Sequence, residues 1–427
     1  MILVLFLLMF LFMFLGVEIF VSMGLASSVY LIASGNAPLN LVSTSMVNGI
    51  SGYSLLAIPF FMLVGELMNV SGMTQRVIRL TQFFVGSFKG GLAYAAIFVN
   101  MLLASISGSA PADCSAVSSV LIPEMKKEGY PEDFSAAVNC CAAVLGPIIP
   151  PSIPMVFLAM LSNLSTGRLL LGGVVPGIML TAALVIVTAV ELRKQDIKVV
   201  KTKKSFAEFK VLFRDALLAL IAPIIILLGV ITGFVTITEV AILASAYILV
   251  IGVFFYKTIT LKKLIEAFKK ATSFASSLMV LFGVVGIFSW FIAVEEIPAV
   301  LLDLIHRTNL SPEVFLLAMN ILLLIVGMLM DAIPAITILM PVLMPVATSM
   351  GIDPIHFGVI VVVNLMIGLI TPPVGALLYV ETKISGVPFG KLTHAVRNYI
   401  IAFIVVIFIV TYVPSLVTAI PNMLMGG

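Results

Sequence analysis

The dominant pattern along the chain is a series of long apolar runs, separated by short stretches rich in glycine, proline and charge. A helix that crosses the hydrocarbon core of a bilayer needs about 20 predominantly apolar residues, and several of these runs approach or exceed that length. We therefore predict a polytopic membrane protein built only from helices. The predicted spans lie near residues 2–16, 19–34, 54–72, 134–165, 170–192, 215–234, 237–256, 271–293, 356–386 and 393–418.

Two further apolar regions, 91–127 and 312–349, are interrupted in the middle. The first carries the segment from Ser107 to Asp113, with a glycine and a proline between them, and the second carries Asp331 three residues before Pro334. Each half is shorter than the roughly 20 residues of a full crossing. Irregular backbone at membrane depth is tolerated only inside protein or beside a cavity. Both regions are therefore predicted to be re-entrant helical hairpins.

These features recur at a nearly constant offset. The segment Gly146–Pro151 resembles Gly368–Pro373, which lies 222 residues later, and the hairpins are separated by a similar distance. Such self-similarity is typical of transporters built from inverted repeats. We predict a first repeat over 1–192, with hairpin 91–127 and broken helix 134–165. A basic cytoplasmic linker covers 193–214, and a second repeat covers 215–427, with hairpin 312–349 and broken helix 356–386.

The distribution of charge orients this arrangement. Basic loops favour the cytoplasmic side, so the segments 76–89, 193–214, 257–270 and 383–397 are predicted to be cytoplasmic. The segment 295–313 is mainly acidic and is predicted to face outward. The number of spans between these loops predicts that the first hairpin opens to the cytoplasm and the second to the outside. Both termini are then predicted to lie outside. The amphipathic stretches 74–89 and 297–308 precede the hairpins and are either interfacial helices or solvated loop helices.

Composition excludes several classes of function. Hydrophobic residues make up 61% of the 427 residues and charged residues only 10%, against about 25% charged in soluble domains. Mean hydropathy is +1.24. A soluble enzyme, a disordered protein and a nucleic-acid binder are therefore excluded. The sequence contains no nucleotide-binding loop and no signature of a hydrolase or metalloprotease. Residues 2–16 are interpreted as a retained span, and the three cysteines as small core residues.

The breaks supply the candidate chemistry. Consecutive prolines free backbone carbonyls, and carbonyl and hydroxyl oxygens suit a small hard cation such as sodium. We predict two sodium sites, each formed by a hairpin tip and the break that faces it, and no other metal or cofactor. The first comprises Ser107, Ser109, Asp113, Gly146, Ile149 and Pro151. The second comprises Asp331, Ala332, Gly368, Thr371 and Pro373.

The second helix of each hairpin directs its N-terminus toward the bilayer centre, where it favours an anion. No Arg or Lys is predicted at that depth, so an anionic substrate would rest on backbone N–H groups, bound cations and hydroxyl groups. The predicted substrate-binding hydroxyls are Ser107, Ser109, Ser152 and Thr371. Three roles stay open for Asp113 and Asp331: a helix cap, an ion ligand or a proton carrier.

Five motifs in this order resemble the large membrane subunit of tripartite ATP-independent periplasmic (TRAP) transporters, which belongs to the ion-transporter superfamily. They are PFFMLVGELM (59–68), SGSAPADCSAVSSVLIPEMKKEGY (107–130), LGPIIPPSIPM (145–155), MPVLMPVATSMGIDPIHFGVI (340–360) and GLITPPVG (368–375). The resemblance implies sodium-driven uptake of organic acid anions, such as C4-dicarboxylates or sialic acids, across the bacterial inner membrane. It also implies an elevator motion, in which a transport domain moves against a fixed scaffold.

The resemblance further implies two protein partners: a periplasmic substrate-binding protein and a small four-helix membrane subunit. Some family members carry the small subunit fused at the N-terminus, whereas this sequence does not, so a separate subunit is expected. Glu18 and Glu66 lie in or beside apolar spans and are interpreted as acids that need a partner, although Glu66 is equally able to extend to the surface. The alternatives are a stand-alone sodium/dicarboxylate symporter, a membrane enzyme that uses Asp113 and Asp331, and a channel.

Overall fold

The computed structural model describes residues 2–34, 40–85, 89–195, 205–308 and 310–426, and within these ranges every regular element is a helix. Residues 196–204 of the predicted basic linker and the segment 86–88 of the first surface stretch lie outside the described residues. The α-helices are α1 (Ile2–Phe14), α2 (Ile19–Ser34), α3 (Asn40–Ile50), α4 (Ala57–Val70), α5 (Met73–Val85), α6 (Gly91–Ser107), α7 (Ala110–Lys127), α8 (Glu132–Ala143), α9 (Ile153–Leu161), α10 (Thr166–Gly172), α11 (Val174–Arg193), α12 (Phe206–Thr232), α13 (Ile237–Val250), α14 (Leu261–Val294), α15 (Ile297–Thr308), α16 (Pro312–Leu329), α17 (Ala332–Ser349), α18 (Pro354–Gly368), α19 (Ala376–Ser385), α20 (Phe389–Tyr412) and α21 (Ser415–Met425).

The apolar runs form helices long enough to cross a membrane. Seven helical segments of the described chain meet the length and hydropathy of a span, and α4 with α5 is an eighth if this pair, bent by 67°, is counted as one. The prediction of an all-helical polytopic protein is confirmed. The helix α3 was not predicted, because its sequence, NLVSTSMVNGI, is too polar and too short to suggest a crossing.

Both interrupted regions are pairs of helices joined by a two-residue connection. In the first, Gly108 ends α6 with φ +59°, a conformation that glycine adopts without steric cost, and Ser109 is extended. In the second, Met330 and Asp331 are both extended, and the Asp331 carboxylate accepts a hydrogen bond from the Ala332 backbone N–H at 2.6 Å. A side-chain cap of this kind starts the returning helix α17.

The two Pro-Pro segments separate helices, as the sequence predicts. The segment 144–152 lies between α8 and α9, and the segment 369–375 lies between α18 and α19. Both Pro-Pro peptide bonds, Pro150–Pro151 and Pro372–Pro373, are cis. Proline lacks the N–H that would continue a helical ladder, so the chain stays irregular over these residues.

The hairpins and the broken helices pack into one interlocked body. Helix α7 of the first hairpin packs against α8 and against α19, which follows the second break. Helix α17 of the second hairpin packs against α18 and against α9, which follows the first break. Each hairpin therefore contacts the broken helix of its own half of the chain. It also contacts the helix that follows the break in the other half. Outside this body, α14 packs on α2, α3 and α4, and α4 packs on α13.

Candidate ion and substrate sites at the hairpin tips

The tip of the first hairpin is organised around the Asp113 carboxylate. The Ser107 hydroxyl donates a hydrogen bond to Asp113 Oδ1 at 2.6 Å, and the Ser109 backbone N–H donates to Ser107 Oγ at 3.2 Å. Asp113 is 2% exposed, and its second oxygen, Oδ2, is buried without a hydrogen-bond partner in the described chain. A buried carboxylate oxygen without a partner is costly, so it marks a place where a ligand would be stabilising.

The first break lies directly against this tip. A Cβ atom added to Gly146 would be 2.6 Å from Asp113 Oδ2 and 3.4 Å from the carbonyl carbon of Ser109. A Cβ atom added to Gly108 would be 2.8 Å from the Pro151 carbonyl oxygen. The structure therefore brings together five of the six residues of the predicted first sodium site, and only glycines allow such a close approach.

Ile149 and Ser152 have other contacts. The Ile149 side chain packs toward Gly177 of α11, and its backbone N–H donates to the Leu145 carbonyl at 2.9 Å. Ser152 is fully buried and caps α9, because its hydroxyl oxygen accepts from the Met155 N–H at 3.1 Å while the hydroxyl donates to the Pro147 carbonyl. The Ser152 hydroxyl is thus committed to the backbone of the break.

The second tip and break meet through backbone groups. The Gly375 N–H donates to the Met328 carbonyl at 3.1 Å, and a Cβ atom on Gly368 would lie 2.5 Å from Gly327 Cα. The Thr371 hydroxyl donates to the Ile367 carbonyl at 2.7 Å. The Thr371 carbonyl oxygen lies 3.1 Å from the Cβ position of Gly375, so a backbone oxygen is directed into this junction.

Asp331 and Thr371 border different cavities, and Pro373 is exposed. Asp331, whose first carboxylate oxygen caps α17, faces the cavity between the hairpin tips, whereas Thr371 and Pro372 face a cavity beside α20. Ala332 follows Asp331 and is buried in the core. The residues named for the second sodium site therefore divide between the tip of α17 and the break, and no described contact joins Asp331 to Thr371.

A cavity of about 380 Å³ lies between the two tips. One wall is formed by residues 108–112 of the first tip, and Asp331 and Ile333 line it from the second. Met62 of α4 and Phe274 of α14 contribute side chains from outside the interlocked body. Ser109 is the one predicted substrate-binding residue among its lining residues, and no basic side chain of the described chain lines it.

A buried polar cluster was missed by the sequence analysis. Glu381 of α19 is fully buried and contacts Cys114, Ser118 and Asn139, and Asn139 in turn accepts a hydrogen bond from Asn100 at 2.8 Å. Glu381 lies inside a predicted span, so its charge at membrane depth was the available signal. The serine and asparagine partners come from separate helices, and sequence spacing alone does not bring them together.

Glu66 has a partner within the chain. Its carboxylate lies 3.4 Å from the Lys270 Nζ of α14, so the expectation that it needs a basic residue from another polypeptide is wrong for this residue. Glu18 is exposed at the turn between α1 and α2. The three cysteines are buried free thiols, as predicted. His356, near a predicted span end, is buried, and its Nε2 lies 2.9 Å from the Val410 carbonyl oxygen.

The family model described as "Tripartite ATP-independent periplasmic transporter, DctM component" matches residues 6–416. The C4-dicarboxylate TRAP transporter large permease protein DctM of Pseudomonas aeruginosa is 38% identical over 94% of each chain. The sialic acid TRAP transporter large permease protein SiaM of Vibrio cholerae is 33% identical over 96% of each chain. The 2,3-diketo-L-gulonate TRAP transporter large permease protein YiaN of Escherichia coli is 36% identical over 88% of each chain.

The chain also resembles solved transporter structures. The YdaH transporter of Alcanivorax borkumensis superposes with a TM-score of 0.65, at 15% identity over 88% of each chain. MtrF of Neisseria gonorrhoeae superposes with a TM-score of 0.63, at 12% identity over 87% of this chain and 83% of that one. At these identities the likeness concerns the fold alone.

Proposed function

The chain belongs to the DctM family of TRAP transporters, and we propose that it takes up an organic acid anion driven by a sodium gradient. It is a multi-pass protein of the bacterial inner membrane and a transporter, not an enzyme. The observation that carries the proposal is the unpartnered Asp113 Oδ2, held against Gly146 in a tip that also lines the cavity between the hairpins.

Sodium is the ion that this tip suits. The groups at the junction of tip and break are oxygens: the Asp113 carboxylate, the Ser107 hydroxyl and the Pro151 carbonyl. A hard cation with oxygen preference would bind there and neutralise the buried carboxylate. We place a second sodium ion at the junction of Gly368, Thr371 and the second tip, where backbone carbonyls are the available ligands.

Ion binding would prepare the cavity for an anion. No basic side chain of the described residues lines the cavity, so positive potential has to come from bound cations and from the N-termini of α7 and α17. Ser109 lies at the N-cap of α7 and lines the cavity, so its hydroxyl is the predicted direct contact to substrate. Sodium is therefore expected to bind before substrate and to raise its affinity.

The interlocked hairpins and broken helices are proposed to move as a unit. Because α7 packs on α19 and α17 packs on α9, the two tips cannot separate without breaking the body. Met62 and Phe274 approach the cavity from α4 and α14, which we assign to the fixed scaffold. An elevator motion would carry the tips and the bound anion past these two side chains.

Two protein partners complete the proposal. A periplasmic binding protein would deliver substrate to the outer face, and a small four-helix membrane subunit would extend the scaffold within the lipid bilayer. The relatives named for C4-dicarboxylates, sialic acid and 2,3-diketo-L-gulonate define the class of substrates to try, which are small organic acid anions.

The test is uptake into proteoliposomes that contain this chain, a small TRAP membrane subunit and a periplasmic substrate-binding protein. Labelled succinate, malate, N-acetylneuraminate and 2,3-diketo-L-gulonate serve as probes. We expect accumulation of one of these anions that requires an inward sodium gradient and the binding protein. Uptake at full rate by the chain alone would favour the stand-alone symporter, and uptake in sodium-free buffer would contradict sodium coupling.

A further inference from the structure

Among the described residues outside the predicted sodium sites, Glu381 carries the most deeply buried carboxyl group. It is 0% exposed and lies on α19, inside the interlocked body. No ion pair involving Glu381 occurs within 4 Å among the described residues. A carboxylate in this position is shielded from bulk solvent and has no counter-ion among the described residues, which is costly at membrane depth.

The neighbours of Glu381 are arranged around only one of its oxygens. Oε2 accepts hydrogen bonds from the Ser118 hydroxyl at 2.6 Å and the Cys114 thiol at 2.9 Å, and the Asn139 amide lies at 3.4 Å. Oε1 is buried and has no hydrogen-bond partner in the part of the chain that the structure describes. Three donors around one oxygen suit the anionic form, whereas the free oxygen is available to carry a proton.

The surroundings of Glu381 favour a proton over a metal cation. Its recorded partners are O–H, S–H and N–H groups, which direct hydrogen atoms at the carboxylate, whereas sodium needs several oxygen lone pairs around it. The titratable group in contact with it is the Cys114 thiol of α7, and α8, which also packs against α19, carries the buried thiols Cys140 and Cys141. On α20, which also packs against α19, the buried titratable group is Tyr399, whose hydroxyl contacts Thr188 at 3.2 Å.

We propose that Glu381 is a proton-binding site of the transport body, distinct from the predicted sodium sites, and that its protonation state affects transport. The cluster joins α19 from the second half of the chain to α7 and α8 from the first. Because α7, α8 and α19 belong to one body, the Ser118 and Cys114 donors stay on Oε2, and the proton binds at Oε1.

Infrared spectroscopy tests this proposal on the full-length chain in lipid nanodiscs, with any companion subunit retained. The carbonyl stretch of a protonated acid should disappear as pH is raised, and Glu381→Gln should lack this change. The Cys114 S–H stretch, assigned by its loss in Cys114→Ala, should move to lower frequency over the same pH interval, because the thiol then donates to a carboxylate. The thiol measurement uses the wild-type chain, so it does not depend on the folding of Glu381→Gln.

A transport measurement is the second test. Unlike the infrared measurement, it depends on the proposed function. At saturating sodium, uptake by the wild type should vary with pH, whereas Glu381→Gln should lose that dependence. Glu66→Gln, which neutralises a scaffold glutamate paired with Lys270, is the matched control and should keep the wild-type profile. A Cys114 S–H band that does not respond to pH while the protein stays folded, or an unchanged pH profile in Glu381→Gln, would overturn the proton site. Titration without sodium-driven uptake would leave the proton site intact and contradict the proposed function instead.

Discussion

Gly146→Ala is the sharpest perturbation of the proposed first sodium site. The added Cβ atom would lie 2.6 Å from Asp113 Oδ2 and 3.3 Å from the Ala143 carbonyl oxygen. An ordinary contact of this kind is nearer 3.4 Å or more, so the carboxylate or the break has to move by several tenths of an ångström. The backbone of Gly146 does not have a positive φ, so the effect is one of space and not of backbone strain.

The size of the expected effect on sodium binding follows from how closely the atoms pack around Gly146. Inserting a methyl group into a well-packed position costs about 1–3 kcal/mol. In the proposed site the bound ion holds Asp113 against the break, so the cost of the added methyl group is expected to weaken ion binding. A coupling of that size corresponds to a roughly 5- to 150-fold increase in the sodium concentration for half-maximal uptake.

The assay is sodium-dependent uptake in the reconstituted tripartite system, with expression and thermal unfolding measured beside it. Gly390→Ala is the matched control, because a Cβ atom there meets nothing within 4 Å, and its half-saturation should change by about twofold or less. A Gly146→Ala protein that folds normally and keeps the wild-type sodium dependence would refute the reasoning. Asp113 Oδ2 would then not be held against residue 146 when sodium binds.

Three further predictions address the tip, the topology and the scaffold. Ser109→Ala should raise the sodium concentration for half-maximal uptake, and an unchanged value at normal expression would remove Ser109 from the site. In a cysteine-free background, cysteines placed at Lys126 and Ser349 should react with an impermeant maleimide from the cytoplasm and from outside, respectively, and labelling of both from one face contradicts the inverted repeat. Breaking the Glu66–Lys270 pair, which is partly exposed, should lower thermal stability by about 0.2–1 kcal/mol, and a double-mutant cycle without coupling would show that the pair contributes nothing.

Local signals predicted much of the architecture because they act over a few residues. The Pro-Pro segments interrupt their helices wherever they are placed, since proline lacks the backbone donor. Gly108 and Asp331 also mark the hairpin tips through local effects. Gly108 ends α6 with a φ of +59°, and the Asp331 side chain caps the start of α17. The sequence also places Asp113 at the first tip and predicts that this tip faces the break that begins at Gly146.

The role of a single side chain depends on where it points, and the spacing of residues in the sequence does not reveal this. Ile149 faces Gly177 on α11, and the Ser152 hydroxyl is committed to the cap of α9. Thr371 borders a cavity beside α20, away from Asp331. In irregular segments the side chains follow no fixed period, so neighbours in sequence turn to different surroundings.

Local patterns were enough to predict an all-helical membrane protein with two hairpins and two broken helices, because apolar length and proline chemistry are local properties. The motifs of the sequence also pointed to the family. Three contacts were visible only in the folded chain: each hairpin packs on the helix that follows the break in the other half, Glu66 pairs with Lys270, and Glu381 is buried against Ser118 and Asn139. These contacts join residues far apart in the chain, and they arise from the packing of whole helices, which no local pattern encodes.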